Sequence, residues 1–422
     1  MSGPKVGAPG WAPGWVPVAA AAEIGSTPIP VSAGGRDWVL VRLHADGPPA
    51  VLSAHCPHRL VPLAAGKVVD GTLQCAYHGW RFGSDGRCVA LPSLGPEANL
   101  PPRAHLPEPP PVRERAGQVW LRPGSDQPAA AAPREMTNLD AALHHAWHPV
   151  ALASELDGGP LTIRLLGEDW RLQRAGGGFA ATPTPYAVVE RWGLVWLAPD
   201  RPLDELFDDP DLEDRSYVGA WLPPARTNVS AGLVADNFLD VAHFPFVHAA
   251  TFGPDSTVVA PYEVAPEPSG FRSVQVQPFD NPEDPGVAAG QRPVRQHRRA
   301  TYVYRAPFQL MLRLEELDAG AVKTILFFAQ PEDLASTRIY TKMLLHGIGG
   351  VQHPGPEVIA REVAFEEAVL AEDLTLQRGM DATGLPLDLR DELHVRADRL
   401  GVALRRQLSG FAERAAEVGG TT

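Results

Sequence analysis

The chain has 422 residues with 37 basic and 50 acidic side chains, a net charge of −13, which argues against general binding to nucleic acid or to an anionic membrane surface. Hydrophobic residues at 44% and charged residues at 21% are globular proportions, and no run approaches the roughly 20 apolar residues needed to cross a bilayer. Three cysteines cannot build a disulfide framework in a chain this long, and the opening MSGPKVGAPGWAPGWVPV has prolines where a secretory leader has an apolar run, so a soluble, cytoplasmic protein is expected.

From Gly14, the segment GWVPVAAAAEIGSTPIPVSAGGRDWVLVRL alternates apolar and polar residues between Gly and Pro breaks, the pattern of antiparallel strands. It returns without gaps 132 residues later as AWHPVALASELDGGPLTIRLLGEDWRLQRA, with Trp15, Pro17, Glu23, Gly35, Trp38 and Arg42 among the residues that recur. The ends repeat too, ERAGQVWLRPG from Glu114 and ERWGLVWLAPD from Glu190, but at a spacing of 76, so the second copy lacks 56 residues from its middle. Between the copies, residues 122–138 are rich in Pro and Ala without apolar period, and a linker is predicted over 126–140. The acidic, Pro-containing stretch 199–216 either closes one unit and opens the next or is a surface loop within one. Beyond it, 301–317 and 321–331 are predicted as long strands, and 357–380 and 392–418 as helices. The predicted domains are 1–125, 141–200 and 201–422, in an α+β chain whose first two domains are all-β and whose third packs a helix on an antiparallel sheet.

The middle of the first copy holds HCPHRLVPLAAGKVVDGTLQCAYHGWRFGSDGRC, with Cys56-Pro-His58 and Cys75-Ala-Tyr-His78. Two short Cys/His pairs on two loops can converge on one centre, and residue type alone allows zinc or an iron–sulfur cluster. The pattern C-x-H … C-x-x-H, with the flanking CPHR, YHGW and GSDGRC, resembles the Rieske domain of the Rieske non-haem iron oxygenases. The resemblance implies a [2Fe–2S] cluster with Cys56 and Cys75 on one iron and His58 and His78 on the other. The 56-residue deficit falls across this segment, so the second copy would be a degenerate Rieske-like domain without cluster ligands. Cys88 has no partner left for a disulfide.

Further on, GLVADNFLDVAHFPFVHAATFG places Asp240 and His243 three apart, on one face of a predicted helix, and His248 five beyond His243. On a regular helix five residues turn about 140°, so a break at Pro245 is expected to bring the two imidazoles together. Two His and a carboxylate with open positions form the facial triad of non-haem Fe(II) oxygenases. Asn237, Asp240, His243 and His248 match the N-x-x-D-x-x-H-x-x-x-x-H of the same family. The resemblance places the third ligand in a downstream acidic helix, where Glu366, Glu367, Glu372 and Asp373 are available; Asp373 follows the family's E-D pattern and Glu372 is its rival.

The resemblance further implies a helix-grip catalytic domain, a mononuclear Fe(II), and a homotrimer in which Asp240 links His243 to His78 of the partner subunit. A small-molecule substrate and O2 would react by monohydroxylation, N- or O-demethylation or dihydroxylation, the first two favoured. No dinucleotide fingerprint is present, so electrons are expected from a separate reductase or ferredoxin. The basic run Arg292, Arg295, His297, Arg298 and Arg299 is either a solvated strand or a holder of a substrate carboxylate. The rival function is a non-catalytic electron carrier or zinc module.

Overall fold

The computed structural model describes residues 14–124, 134–252, 256–380 and 383–419, a mixed α+β chain whose strand pairings are all antiparallel among those residues. Two units are distinguished: one within Met1–Ala132 with His243–Val247 and Pro254–Val258, and one within Pro133–Ala242, His248–Gly253 and Val259–Thr422.

The first unit contains β1 (Val16–Ala20), β2 (Ile29–Ala33), β3 (Arg36–Arg42), β4 (Pro49–Ser53), β5 (Lys67–Val69), β6 (Thr72–Gln74), β7 (Arg81–Phe82), β8 (Cys88–Ala90), β9 (Val112–Arg115) and β10 (Gln118–Leu121). The sheets β1-β10-β9 and β2-β3-β4 contribute to a core of Ile24, Trp38, Leu40, Val51, Val119 and Leu121. Between β4 and β9 the chain builds a separate small sheet, β5-β6-β7-β8.

In the second unit β11 (Glu135–Thr137) precedes β12 (His148–Leu152), β13 (Leu161–Leu165), β14 (Glu168–Ala175), β15 (Gly178–Thr182), β16 (Ala187–Arg191) and β17 (Leu194–Ala198). The repeat holds in three dimensions, bond by bond. The β1–β10 pairing starts at Val16 opposite Leu121 and slips between Pro17 and Ala19; β12–β17 starts at His148 opposite Leu197 and slips between Pro149 and Ala151. Glu23 accepts from Ala20 N–H, and Glu155 from Leu152 N–H. Ala21 N–H donates to Gly117 O and Ala153 N–H to Gly193 O, both at 2.9 Å. Both hairpins have two central residues of positive φ in each copy, Gly34–Gly35 and Leu166–Gly167, then Ala116–Gly117 and Trp192–Gly193, as tight two-residue turns require.

What differs is burial. β10 alternates, with Gln118 exposed and Val119 buried, whereas β17 is buried along its whole length. Leu194 and Trp196 share a core with Val303, Met311, Leu326, Phe328 and Tyr340 of the large sheet. Residues 141–200 therefore lie inside the second unit and share its core.

The large sheet is built from β18 (Val218–Trp221), β19 (Ala225–Thr227), β20 (Ala265–Glu267), β21 (Gly270–Asp280), β22 (Arg295–Arg305), β23 (Gln309–Glu316), β24 (Ala321–Asp333) and β25 (Ser336–His346), in the order β18-β25-β24-β23-β22-β21-β20, with β19 also on β25. The helices are α1 (Ala231–Leu239), α2 (Phe244–Val247), α3 (Ala249–Phe252), α4 (Pro285–Ala288), α5 (Pro356–Gln377) and α6 (Arg399–Gly419), with β26 (Gly384–Pro386) between the last two.

Four expectations need correction. The run 301–317 is the hairpin β22–β23, because Ala306–Pro307 turns the chain and Pro307 has no N–H for a ladder. The last helix begins at Arg399, where the predicted 392 is too early: Val395 N–H is held by the Asp398 side chain ahead of it. The linker ends before 134, since β11 pairs with β26 and buried Asn138 bonds Asp333 O, Ser336 O and Ala231 N; residues 126–133 of the predicted linker lie outside the described residues. Asp240 and His243 do not share a helix face. Helix α1 stops at Leu239 with Asp240 as its cap, and Pro245 sits near the start of the next short helix, where a missing N–H costs nothing.

Candidate cluster and metal centres

Two loops of the first unit are closed in the same way. Cys56 N–H donates to Val61 O (3.0 Å) and Leu60 N–H to Cys56 O (3.0 Å); Cys75 N–H donates to Trp80 O (2.8 Å) and Gly79 N–H to Cys75 O (3.2 Å). The residue four after each Cys takes positive φ, Leu60 at 53° and Gly79 at 67°, which folds each loop back on itself. The closure brings the four predicted side chains together. Nδ1 of His58 faces Nδ1 of His78 at 3.1 Å, and His58 stacks on buried Trp80 with centroids 4.5 Å apart.

Cys56, His58, Cys75 and His78 are all buried. The Cys56 thiol hydrogen-bonds Cys75, and this bond lowers the Cys75 thiol to about 7 against the opposing effect of burial. Burial, then the neighbouring Cys75, push Cys56 well above the ordinary range, so one thiolate is favoured. Two sulfurs in contact and two ring nitrogens aimed at one another form a donor set that fits a cluster bound through both pairs, in which both thiols are deprotonated. Cys88 stands apart from this arrangement, its thiol bonded to Ala90 O at 3.6 Å and pushed up to about 11 by burial.

The second set surrounds His248. His243 precedes α2 and His248 lies between α2 and α3, both buried. One ligand atom each of His243, His248 and Asp373 lie within 4.8 Å of one another. His248 Nε2 is 3.3 Å from Asp373 Oδ1, and its Nδ1 is 2.8 Å from Glu372 Oε2. Burial disfavours the protonated ring, but the bonds and charges of Asp373 and Glu372 outweigh it and raise His248 above the ordinary histidine range. Three buried or half-buried donors, two imidazoles and one carboxylate, suit a divalent metal with positions left over. Asn237 Nδ2 donates to Asp373 Oδ1 (3.2 Å) and its Oδ1 accepts from Gln377 Nε2 (3.1 Å). Asp240 accepts from Ala242 N–H at 2.7 Å.

The other acids weighed from sequence are elsewhere engaged or solvated. Glu366 and Glu362 grip Lys323 of β24 at 3.2 and 2.6 Å, which pins α5 to the sheet, and Glu367 is exposed. The arginines of the basic run are engaged in ion pairs, Arg292 with Asp284, Arg295 with Asp280, Arg298 with Glu316 and Arg299 with Glu315, and His297 Nδ1 lies 3.5 Å from Asp318 Oδ2. Thr251 and Gln377 were not singled out by sequence reasoning, because a lone hydroxyl or amide carries no spacing signal. Nor was buried Arg405, which clamps Asp236 of α1 to Glu392.

A Rieske [2Fe-2S] domain family matches residues 14–108, and the vanillate O-demethylase oxygenase C-terminal domain family matches residues 227–414. The probable methylxanthine N7-demethylase NdmC of Pseudomonas sp. (strain TJI-51) is 32% identical over 276 residues, 62% of this chain and 92% of that protein. The 3-chlorobenzoate-3,4-dioxygenase oxygenase subunit of Comamonas testosteroni is 36% identical over 128 residues, 30% of this chain and 29% of that one. Among solved structures, a Pseudomonas putida CBB5 NdmA mutant with theobromine aligns with a TM-score of 0.41 and 19% identity, covering 96% of this chain and 91% of that one. Dicamba monooxygenase bound to dicamba aligns at 0.45 and 17%, covering 96% and 98%. A Rieske-domain match over the first copy of the repeat, an oxygenase C-terminal match over residues 227–414, and a relative matched over nearly its whole length make the chain a member of the Rieske oxygenases.

Proposed function

We propose that the protein is the terminal oxygenase of a multicomponent system. It hydroxylates a small organic substrate, with removal of an N- or O-methyl group as the favoured outcome, and takes electrons from a separate NAD(P)H-dependent reductase, directly or through a ferredoxin. The observation that carries this reading is the presence of two complete donor sets on one chain, Cys56, His58, Cys75 and His78 in one and His243, His248 and Asp373 in the other. A carrier needs only the first.

When bound, a Rieske cluster supplies electrons singly and a mononuclear Fe(II) supplies open positions for O2. The chain's own residues hold and orient. Asn237 fixes the Asp373 carboxylate by its amide N–H, so this ligand needs little reorganisation on binding. Asp240 caps the C-terminus of α1, its N–H held by Asn237 O and its Oδ1 accepting from Ala242 N–H, and in a cytoplasmic homotrimer its carboxylate would accept an imidazole N–H and join the two donor sets of different subunits. Demethylation is favoured because the relative matched over most of its length has that activity in its name and the C-terminal family is named for another demethylase, whereas the dioxygenase relative shares only 30% of the chain. In that reaction one oxygen atom enters a methyl C–H bond and the other leaves as water, consuming two electrons and two protons, and the hydroxymethyl product releases formaldehyde.

Iron and acid-labile sulfide per chain, measured on anaerobically purified protein, test the reading. About three irons and two sulfides are expected, falling to about one iron without sulfide in Cys75→Ser and to about two irons in His248→Ala. Zinc without sulfide would leave a binding module and end the oxygenase reading. Formaldehyde formed one-for-one with O2 consumed, in the presence of reductase and methylated substrates, separates demethylation from ring hydroxylation.

A further inference from the structure

We infer that Glu372 is a positioning residue that fixes the tautomer and the plane of His248. The inference rests on the reading that His248 and Asp373 hold the mononuclear metal. Glu372 and Asp373 are consecutive on α5, so their side chains leave the helix about 100° apart and can straddle an object between them. The object is the His248 ring: Glu372 Oε2 lies 2.8 Å from Nδ1 and Asp373 Oδ1 lies 3.3 Å from Nε2.

A neutral imidazole carries one N–H, and an ionised carboxylate only accepts. With a metal on Nε2 the ring would carry its one N–H on Nδ1, where Glu372 accepts it, while Nε2 is the nitrogen that faces Asp373. The other carboxylate oxygen is also tied, since Thr251 Oγ1 donates to Glu372 Oε1 at 2.8 Å. Thr251 N–H donates in turn to His248 O (3.1 Å), so hydroxyl, ring and carboxylate are parts of one closed turn. With both oxygens so engaged, Glu372 supports a ligand, and Asp373 completes the donor group. A charged acceptor behind the ring also makes Nε2 a better donor.

The test is retention of Fe(II), the only added metal, at the mononuclear site of the cluster-loaded full chain. Release to a chelator is followed anaerobically for wild type, Glu372→Ala, Glu372→Gln, Thr251→Val, Asp373→Ala and His248→Ala. Loss of support behind a ligating histidine weakens affinity by about 10–100-fold, so Glu372→Ala is expected to bind Fe(II) that much more weakly, with Glu372→Gln between it and wild type and Thr251→Val weakened by a few-fold. Wild-type retention in Glu372→Ala overturns the inference, and so does a loss as complete as in Asp373→Ala, which would make Glu372 a ligand. If Glu372→Ala does not fold, judged by its cluster absorbance and melting, Glu372→Gln decides: weaker retention supports the role and unchanged retention refutes it. Should Asp373→Ala and His248→Ala both keep their Fe(II), the metal-site reading itself has failed.

Discussion

Replacing Arg405 with Met tests how the helix carrying Asn237 is held. Arg405 is fully buried, its Nη1 and Nη2 bonded to Asp236 Oδ1 and Oδ2 at 2.7 and 2.9 Å and its Nε to Glu392 Oε2 at 2.8 Å. The Asp236 and Glu392 side chains are only 6% and 2% exposed, so removing the guanidinium strands two carboxylates away from water. Met keeps most of the aliphatic volume at this buried position, so the effect is mainly that of charge rather than of a cavity. Breaking a buried pair from one side costs about 3–5 kcal/mol, less than a sum over the individual bonds because the stranded acids relax and take up protons. That protonation has a sign. In the variant the folded-state carboxyl pKa values rise above the unfolded ones, so the folded state binds more protons and the deficit shrinks as pH falls from 7 toward 5. Hydrogen exchange of the α1 and α6 amides, read by mass spectrometry at both pH values, reports the local opening free energy. A loss below about 1 kcal/mol at pH 7, or a loss that does not shrink on acidification, would refute the argument.

Burial pushes His148 down to about 4 from the ordinary 6.5, although its ring N–H is held by Leu143 O at 2.7 Å. A lowered folded-state value means that the unfolded chain binds the extra proton, so this residue's contribution is intact above pH 6.5 and is lost toward pH 4, by about 3 kcal/mol in full. His148→Val, which installs the residue found at Val16 of the first copy, is expected to flatten the melting temperature against pH in that window; parallel curves would count against it. Asn138→Ala removes the amide that joins the β24–β25 turn to the first turn of α1, and about 2–3 kcal/mol is expected from urea denaturation because Ala231 N–H and the strand carbonyls lose a buried partner.

The parts of this molecule that were legible in sequence are those in which one residue type recurs at fixed spacing. Trp15 and Trp38 announce the second copy through Trp147 and Trp170, and the copies share even the slip beside Pro17 and Pro149. The four side chains proposed to hold the cluster, and the two histidines, come from short segments, so spacing alone could nominate them. What spacing cannot convey is which of two adjacent acids faces a ring. Glu372 and Asp373 were separable only once α5 was pinned by Lys323 and His248 was placed between them. Periodicity also misread Asp240 as helical. The helix ends one residue earlier, and that one residue moves a carboxylate from a helix face to a cap.

One substitution written in the repeat explains where the second copy went. The strand QVWL (118–121) became LVWL (194–197), exchanging exposed Gln118 for fully buried Leu194. In the first copy the corresponding face of this strand carries exposed Gln118 and half-buried Trp120. In the second, Leu194 and Trp196 meet Phe328 and Tyr340, so a half-buried strand has become one buried on both faces. Reversing the exchange separates a spacer from a structural part of the catalytic unit. Leu194→Gln places an amide against aromatic and aliphatic groups, and loss of packing together with an unpaired polar group should cost about 3–5 kcal/mol. The reciprocal Gln118→Leu alters an exposed position and should stay within about 0.5 kcal/mol. Denaturation of both variants, followed by hydrogen exchange in β24 and β25, reads the difference where it matters. If Leu194→Gln leaves those strands as protected as wild type, the copy is an appendage after all; protection lost across the sheet makes residues 146–198 part of the core on which His248 and Asp373 depend.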